Sequence, residues 1–177
     1  MIITISGKAG SGKSTVAKEI SNKIGIKHYS MGDLMRQLAK EKNISLSELG
    51  KLAEKDDSID KELDKKQIEL KNEDNFVIDG RLTAFFIPNA NVKVFLDCDD
   101  KIRAERILND KRDDESSKDS NEVISKIKER EESERKRYKQ YYDVDYYDEK
   151  LYDLVIDTAN ISVEEVVEKI MELANEK

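Results

Sequence analysis

The chain is constrained most by its first fifteen residues. Ile2, Ile3 and Ile5 form a β-branched run suited to a strand buried on both faces of a parallel sheet. Gly7 then opens the spacing G-x-x-x-x-G-K-[ST], which Gly12, Lys13 and Ser14 close. Glycines bring backbone N–H groups close to phosphate oxygens. The helix that follows adds unpaired N–H groups and the positive end of its dipole. Lys8, Ala9, Gly10, Ser11 and Thr15 complete the loop. Lys13 is placed to reach the β- and γ-phosphates of a nucleotide, and the Ser14 hydroxyl to ligate Mg²⁺.

At 177 residues, with no Pro/Gly/Ser-rich linker, the chain is expected to form one domain. Charged residues make up 40% of it and the net charge is -7, which argues against nucleic acid as the main partner, because phosphate-backbone affinity needs clustered Lys and Arg. Cys98 is the only cysteine, so an internal disulfide and a cysteine-cluster metal site are excluded, and a reducing cytoplasm suits the chain. Its position at the end of a strand gives Cys98 a structural role. No apolar run approaches the roughly 18 residues of a membrane span, and the chain starts in a strand rather than a signal peptide. A soluble cytoplasmic protein is expected.

Hydrophobic spacing lays out the rest. Val16, Ala17, Ile20 and Ile24 predict a helix stopped at Gly25, and residues 26–29 a short strand. His28, the sole histidine, lies in that strand and reads as a core or edge residue, since no second His or Cys is there to share a metal. Ser30 reads as an N-cap, with Arg36 in the second turn of its helix. The capping box Ser45 to Glu48 opens another helix, and Asp57 or Ser58 a third that carries Ile59, Leu63, Gln67 and Leu70. These helices span residues 31–71, too long for a plain crossover, and predict a flap over a ligand.

Residues 76–79 are expected to form a third strand, followed at once by Gly80 and Arg81, residues 92–96 a fourth, and residues 154–156 a fifth, ending at Asp157-Thr158. Ligands on open α/β sheets bind at the carboxyl ends of strands, which puts Asp79 and Arg81 beside the phosphate loop. A helix is expected over residues 99–112, an exposed charged loop over 111–120, and a long charged helix from 121 to about 142. On that helix a hydrophobic stripe of Val123 and Ile127 passes into Arg130, Glu134 and Arg137. Cleft-facing guanidinium groups need anionic partners, phosphate among them. Taken alone, the same three residues also fit a solvated charge ladder. The tyrosines at 138, 141, 142, 146, 147 and 152 read as packing around a loop, with stacking of one of them on a base as the alternative. A second capping box, Ser162 to Glu165, opens the closing helix.

In combination, residues 7–15, Ser30 to Arg36, Asp79-Gly80-Arg81, Arg103 to Arg106, residues 127–137 and Asp157-Thr158 give the chain a resemblance to the nucleoside monophosphate kinases, and within them to the compact archaeal cytidylate kinases. The resemblance runs over nearly the whole length. It implies an α/β phosphate-loop fold, with a five-stranded parallel sheet, helices on both faces, a helical monophosphate-binding insertion and a small lid. The single domain 1–177 would then divide into a core (1–29, 72–110 and 143–177), the insertion (30–71) and the lid region (111–142). It further implies ATP as donor with Mg²⁺ at Ser14 and Asp79. CMP or dCMP would be the acceptor, held by Ser30, Arg36, Asp79, Gly80, Arg81, Arg130, Glu134 and Arg137, and the enzyme would be a monomer.

The reaction so implied is transfer of the γ-phosphoryl of ATP to CMP, with Lys13, Arg81, Arg130 and Arg137 stabilising the migrating charge. Two features depart from the bacterial members: Glu134 stands for an Asp, and Leu82 for an Asp that helps read the cytosine. Another small phosphate-loop kinase, acting on UMP, AMP or a non-nucleotide, is the nearest alternative. A nucleotide-switch module is more remote, because the Asn-Lys-x-Asp guanine motif is missing.

Overall fold

A computed structural model describes residues 1–110 and 119–177. Five parallel strands form one sheet in the order β2-β3-β1-β4-β5: β1 (Ile2–Gly7), β2 (Lys27–Ser30), β3 (Phe76–Asp79), β4 (Val92–Asp97) and β5 (Leu154–Asp157). The first crossover runs outward to β2 and back to β3, and the next goes to the far side at β4. The strand order therefore reverses at β1, whose neighbours are β3 and β4. A crevice opens where the connections diverge, at the carboxyl end of β1.

Alternation along the strands gives each face its own core. Ile3, Ile5, Val77, Val94 and Leu96 pack beneath α1 (Lys13–Ile24) and α8 (Val163–Glu176), against Val16, Ile20, Val167 and Ile170. Ile2, Phe76, Ile78 and Phe95 face the other way, onto Leu82, Ile87, Tyr138 and Tyr146. The tyrosines form a connected set of ring contacts, with Tyr146 stacked on Tyr147 at 4.5 Å. Cys98 is buried and free.

Over the crevice lie α2 (Met31–Glu41), α3 (Leu46–Ala53) and α4 (Ser58–Glu69), joined by a small core of Ala39, Leu49, Ala53 and Ile59. Both expected capping boxes are formed, at Ser45 with Glu48 and at Ser162 with Glu165. α6 (Asp100–Asn109) packs against α7 (Ser120–Tyr142) through Ala104, Val123 and Ile127. Among the described residues, no helix is long and apolar enough to cross a membrane.

Several details differ from the sequence reading, among them small shifts at the ends of β4, β5, α6 and α7. Ile26 does not enter β2, because its N–H joins that of Gly25 in closing α1 onto the Ser21 carbonyl. The predicted helix over 99–112 ends at Asn109, Asp110 being extended, and its last two positions, with most of the expected charged loop, lie outside the described residues. The four-residue helix α5 (Thr83–Phe86) was not anticipated, since it is too short to show a period.

Candidate active site

The phosphate loop follows β1 and takes its shape from two glycines. Gly7 has φ 145°, and a Cβ there would sit 2.2 Å from the Leu96 carbonyl oxygen on β4. Gly10 has φ 75°, and a Cβ there would meet the Arg103 carbonyl at 2.8 Å. The loop is thus pressed between β4 and α6 before it enters α1. Lys13, only 8% exposed, donates to the Lys8 carbonyl at 2.6 Å. Burial pushes its pKa well down, with the nearby Arg81 charge adding to the effect, while Asp79 and Glu134 oppose it.

A buried carboxylate closes one side. Asp79, at the end of β3, accepts from the Ser14 hydroxyl at 2.8 Å and the Ser30 hydroxyl at 3.3 Å, both on Oδ2. His28 Nε2 lies 2.6 Å from its Oδ1. These groups meet because β2 pairs with β3 in parallel, with Ser30 opposite Asp79 and His28 two residues earlier on the same side of its strand. His28, read from the sequence as a core or edge residue, is therefore part of the wall around Asp79. A serine hydroxyl beside a carboxylate is a set of hard oxygen donors, which fits Mg²⁺.

The opposite side is built from arginines. Arg81 donates through Nε to Glu134 Oε2 at 2.7 Å and through Nη1 to the Gly7 carbonyl at 3.0 Å. Arg130 reaches the other oxygen, Nε to Oε1, at 3.0 Å. Burial raises the pKa of Glu134, but the guanidinium groups of Arg81 and Arg130 outweigh it and hold the carboxyl at about 2. Arg137 pairs through Nε with Asp60 Oδ2 of α4 at 3.0 Å, a contact of charges rather than an aligned hydrogen bond, and donates to the Gly50 carbonyl at 3.1 Å. Glu134 and Arg137 are 5% and 2% exposed, so this part of α7 is no solvated ladder. Arg36 pairs with Asp33 in the first turns of α2.

Residues 9–16, Met31, Gly32, Arg36, Asp79 to Leu82, Arg130, Glu134 and Arg137 line one cleft of about 570 Å³. Every residue singled out beforehand for catalysis or binding borders it except Gly7, Lys8 and Ser30, which lie behind it: Gly7 and Ser30 bond Arg81 and Asp79, and Lys8 accepts from Lys13. Several others were not singled out. Arg103, 1% exposed, donates to the Ala9 carbonyl at 3.1 Å and pairs with Glu131 of α7 at 2.5 Å, which ties the phosphate loop to that helix. Arg106 donates to Thr158, whose hydroxyl donates in turn to the Ser11 carbonyl. From α4 come Asp60, Leu63, Asp64 and Gln67.

The sequence pattern of the cytidylate kinase-like family matches residues 2–160. The chain belongs to this family. It is 45% identical over 166 residues to a cytidylate kinase of Pyrococcus horikoshii, covering 94% of this chain and 84% of that protein. It is 43% identical over 178 residues to a cytidylate kinase of Methanosphaera stadtmanae, covering 100% and 99%. In fold it is similar to a shikimate kinase from Bacteroides thetaiotaomicron, with a TM-score of 0.69 and 16% identity over 99% of this chain and 98% of that one. The likeness to the shikimate kinase is one of fold.

Proposed function

We propose that this protein transfers the γ-phosphoryl group of ATP to CMP, and to dCMP, releasing ADP and CDP. The observation that carries this reading is the convergence of Arg81, Arg130 and Arg137 on one side of a cleft whose other side is a phosphate loop with a buried lysine. Two phosphate-bearing substrates need cationic side chains between them, and the planar guanidinium fork suits phosphate oxygens.

Phosphoryl transfer asks little covalent chemistry of a protein, so catalysis is in-line positioning and charge stabilisation. In this reading the backbone N–H groups of Gly10 to Ser14 cradle the donor phosphates. Lys13 leaves the Lys8 carbonyl and follows the migrating group. Arg81, already oriented by Glu134 and the Gly7 carbonyl, bridges donor and acceptor, while Arg36, Arg130 and Arg137 hold the acceptor phosphate. Ser14 and Asp79 would hold Mg²⁺, which supplies charge neutralisation on the phosphate oxygens. Residues 30–71 serve as the acceptor-binding insertion and 111–142 as the lid, and together they exclude the water that would hydrolyse ATP. We take the protein to work as a cytoplasmic monomer.

The test is a coupled assay of ADP release against CMP, dCMP, UMP, AMP and shikimate. Release is expected to depend on a pyrimidine monophosphate. Activity with AMP or shikimate and none with CMP overturns the reading.

A further inference from the structure

Beside the arginines, α4 presents Asp60, Leu63, Asp64 and Gln67 to the same cleft, spaced 0, 3, 4 and 7 along the helix and therefore on one face. Asp60 is taken up by its ion pair with Arg137. Asp64 accepts from the Tyr142 hydroxyl and is otherwise turned to the cleft. Gln67 is 4% exposed, and its Oε1 has no hydrogen-bond partner among the described residues. Buried amide oxygens are nearly always satisfied, so one left open beside a cleft points to a donor supplied from the cleft. Met31, Met35 and Leu63 add apolar surface to the same cleft.

Two hydrogen-bond acceptors between apolar side chains do not suit a phosphate, which carries only acceptors of its own. They suit a flat heterocycle with an exocyclic amine. Cytosine carries an N4 amine with two N–H donors, followed along the same edge by the N3 acceptor. Gln67 matches that edge, with Oε1 accepting from N4–H and Nε2 donating to N3, and Asp64 can take the second N4–H. Uracil puts the O4 acceptor in place of the amine, so carboxylate and carbonyl would face each other unpaired.

We propose that Gln67 and Asp64 read the exocyclic amine of the acceptor base, and that this pair makes the site select CMP over UMP. The assignment rests on the reading of the site as a pyrimidine monophosphate kinase and names the residues that choose the base. Met31, Met35 and Leu63 provide the apolar walls for the ring, and Tyr142 positions the Asp64 carboxylate.

Steady-state kinetics with CMP and UMP test it. The wild-type protein is expected to favour CMP. Gln67→Leu, close in size, is expected to lower kcat/KM for CMP at least about tenfold, through KM, with KM for ATP unchanged. Asp64→Asn, which can still accept from Tyr142 and can turn an N–H toward O4, is expected to narrow the CMP to UMP ratio about tenfold or more. The wild-type protein with N4,N4-dimethyl-CMP, which has no N4–H, gives a readout that needs no variant to fold, and at least a tenfold loss against CMP is expected. Variants that keep the wild-type ratio, or a dimethyl analogue used as well as CMP, overturn the assignment and leave the kinase reading standing. A wild-type protein inactive on both pyrimidine monophosphates overturns the kinase reading itself.

Discussion

The two sides of the cleft are made in different ways. On the side proposed for the donor, backbone does most of the work: residues 7–15 are contiguous, their shape is set by glycines pressed against the Leu96 and Arg103 carbonyls, and backbone N–H groups are the proposed phosphate contacts. On the acceptor side the working groups are side chains drawn from α2, α4, the end of β3 and α7, held by ion pairs such as Arg81 with Glu134 and Arg137 with Asp60. A backbone site is robust to charge changes around it. A side-chain site is only as well placed as the partners that hold it, and here those partners are themselves buried charges.

Replacing Lys13 with Ala is the sharpest way to separate the two. Transfer is expected to fall by about 10³-fold or more, the loss of a preorganised charge on the migrating group. Thermal stability is expected to hold or rise, because burial and Arg81 already push the Lys13 pKa down, which marks its charged form as disfavoured in the fold. A large drop in melting temperature would mean that the donor side depends on side chains after all.

On the acceptor side the same experiment should damage both properties. Arg81→Ala is expected to lower kcat by about 10²- to 10³-fold, and to cost about 3–5 kcal/mol of stability because it strips one partner from a buried carboxylate. Chemical denaturation beside single-turnover rates distinguishes this from a purely catalytic loss.

Glu134→Gln sharpens the contrast through pH. The Glu134 carboxyl sits at about 2 against an ordinary 4.5, so its contribution is present above about 4.5 and is lost as pH falls through about 2. A shift of that size corresponds to about 3 kcal/mol. The variant is expected to be less stable than wild type by roughly that amount at pH 7, with the two converging near pH 2 in urea titrations. Parallel curves at all pH values would show that the arginines do not rely on this charge. The smallest effect is expected from Ser30→Ala, which removes the side-chain cap on α2 and one of the hydroxyls on Asp79. About 1 kcal/mol of stability is at stake, read as a modest drop in melting temperature.

The same division explains what the sequence could disclose. The donor loop was legible because spacing in the chain is spacing in space, and both capping boxes for the same reason. The central strands β1, β3 and β4 showed because their β-branched and aromatic runs face a two-sided core. The arginines of α7 were visible as a helical stripe, but whether that stripe was solvated depended on Arg81 arriving from 53 residues away. His28 gave no signal, since its link to Asp79 exists only once β2 is known to lie beside β3. Gln67 was visible within an apolar repeat on α4, yet its neighbour Asp64 and its unpartnered oxygen belong to the folded cleft. Arg103 stood in the sequence only within the stretch Arg103 to Arg106 that carries the family resemblance, while its hold on Ala9 and Glu131 is entirely tertiary.

The charges around the cleft also bear on how a substrate arrives. The chain carries a net charge of -7, so a nucleotide anion approaches a molecule that repels it on the whole. Arg36, Arg81, Arg130 and Arg137 border the cleft and concentrate guanidinium groups there. A nucleoside monophosphate is itself polarised, with a doubly negative head and an uncharged ring. Within a Debye length of about 8–10 Å it is turned head-first toward the guanidinium groups before any contact forms. Association is then a guided approach whose rate declines as ionic strength rises, set by where the charge is placed rather than by its total.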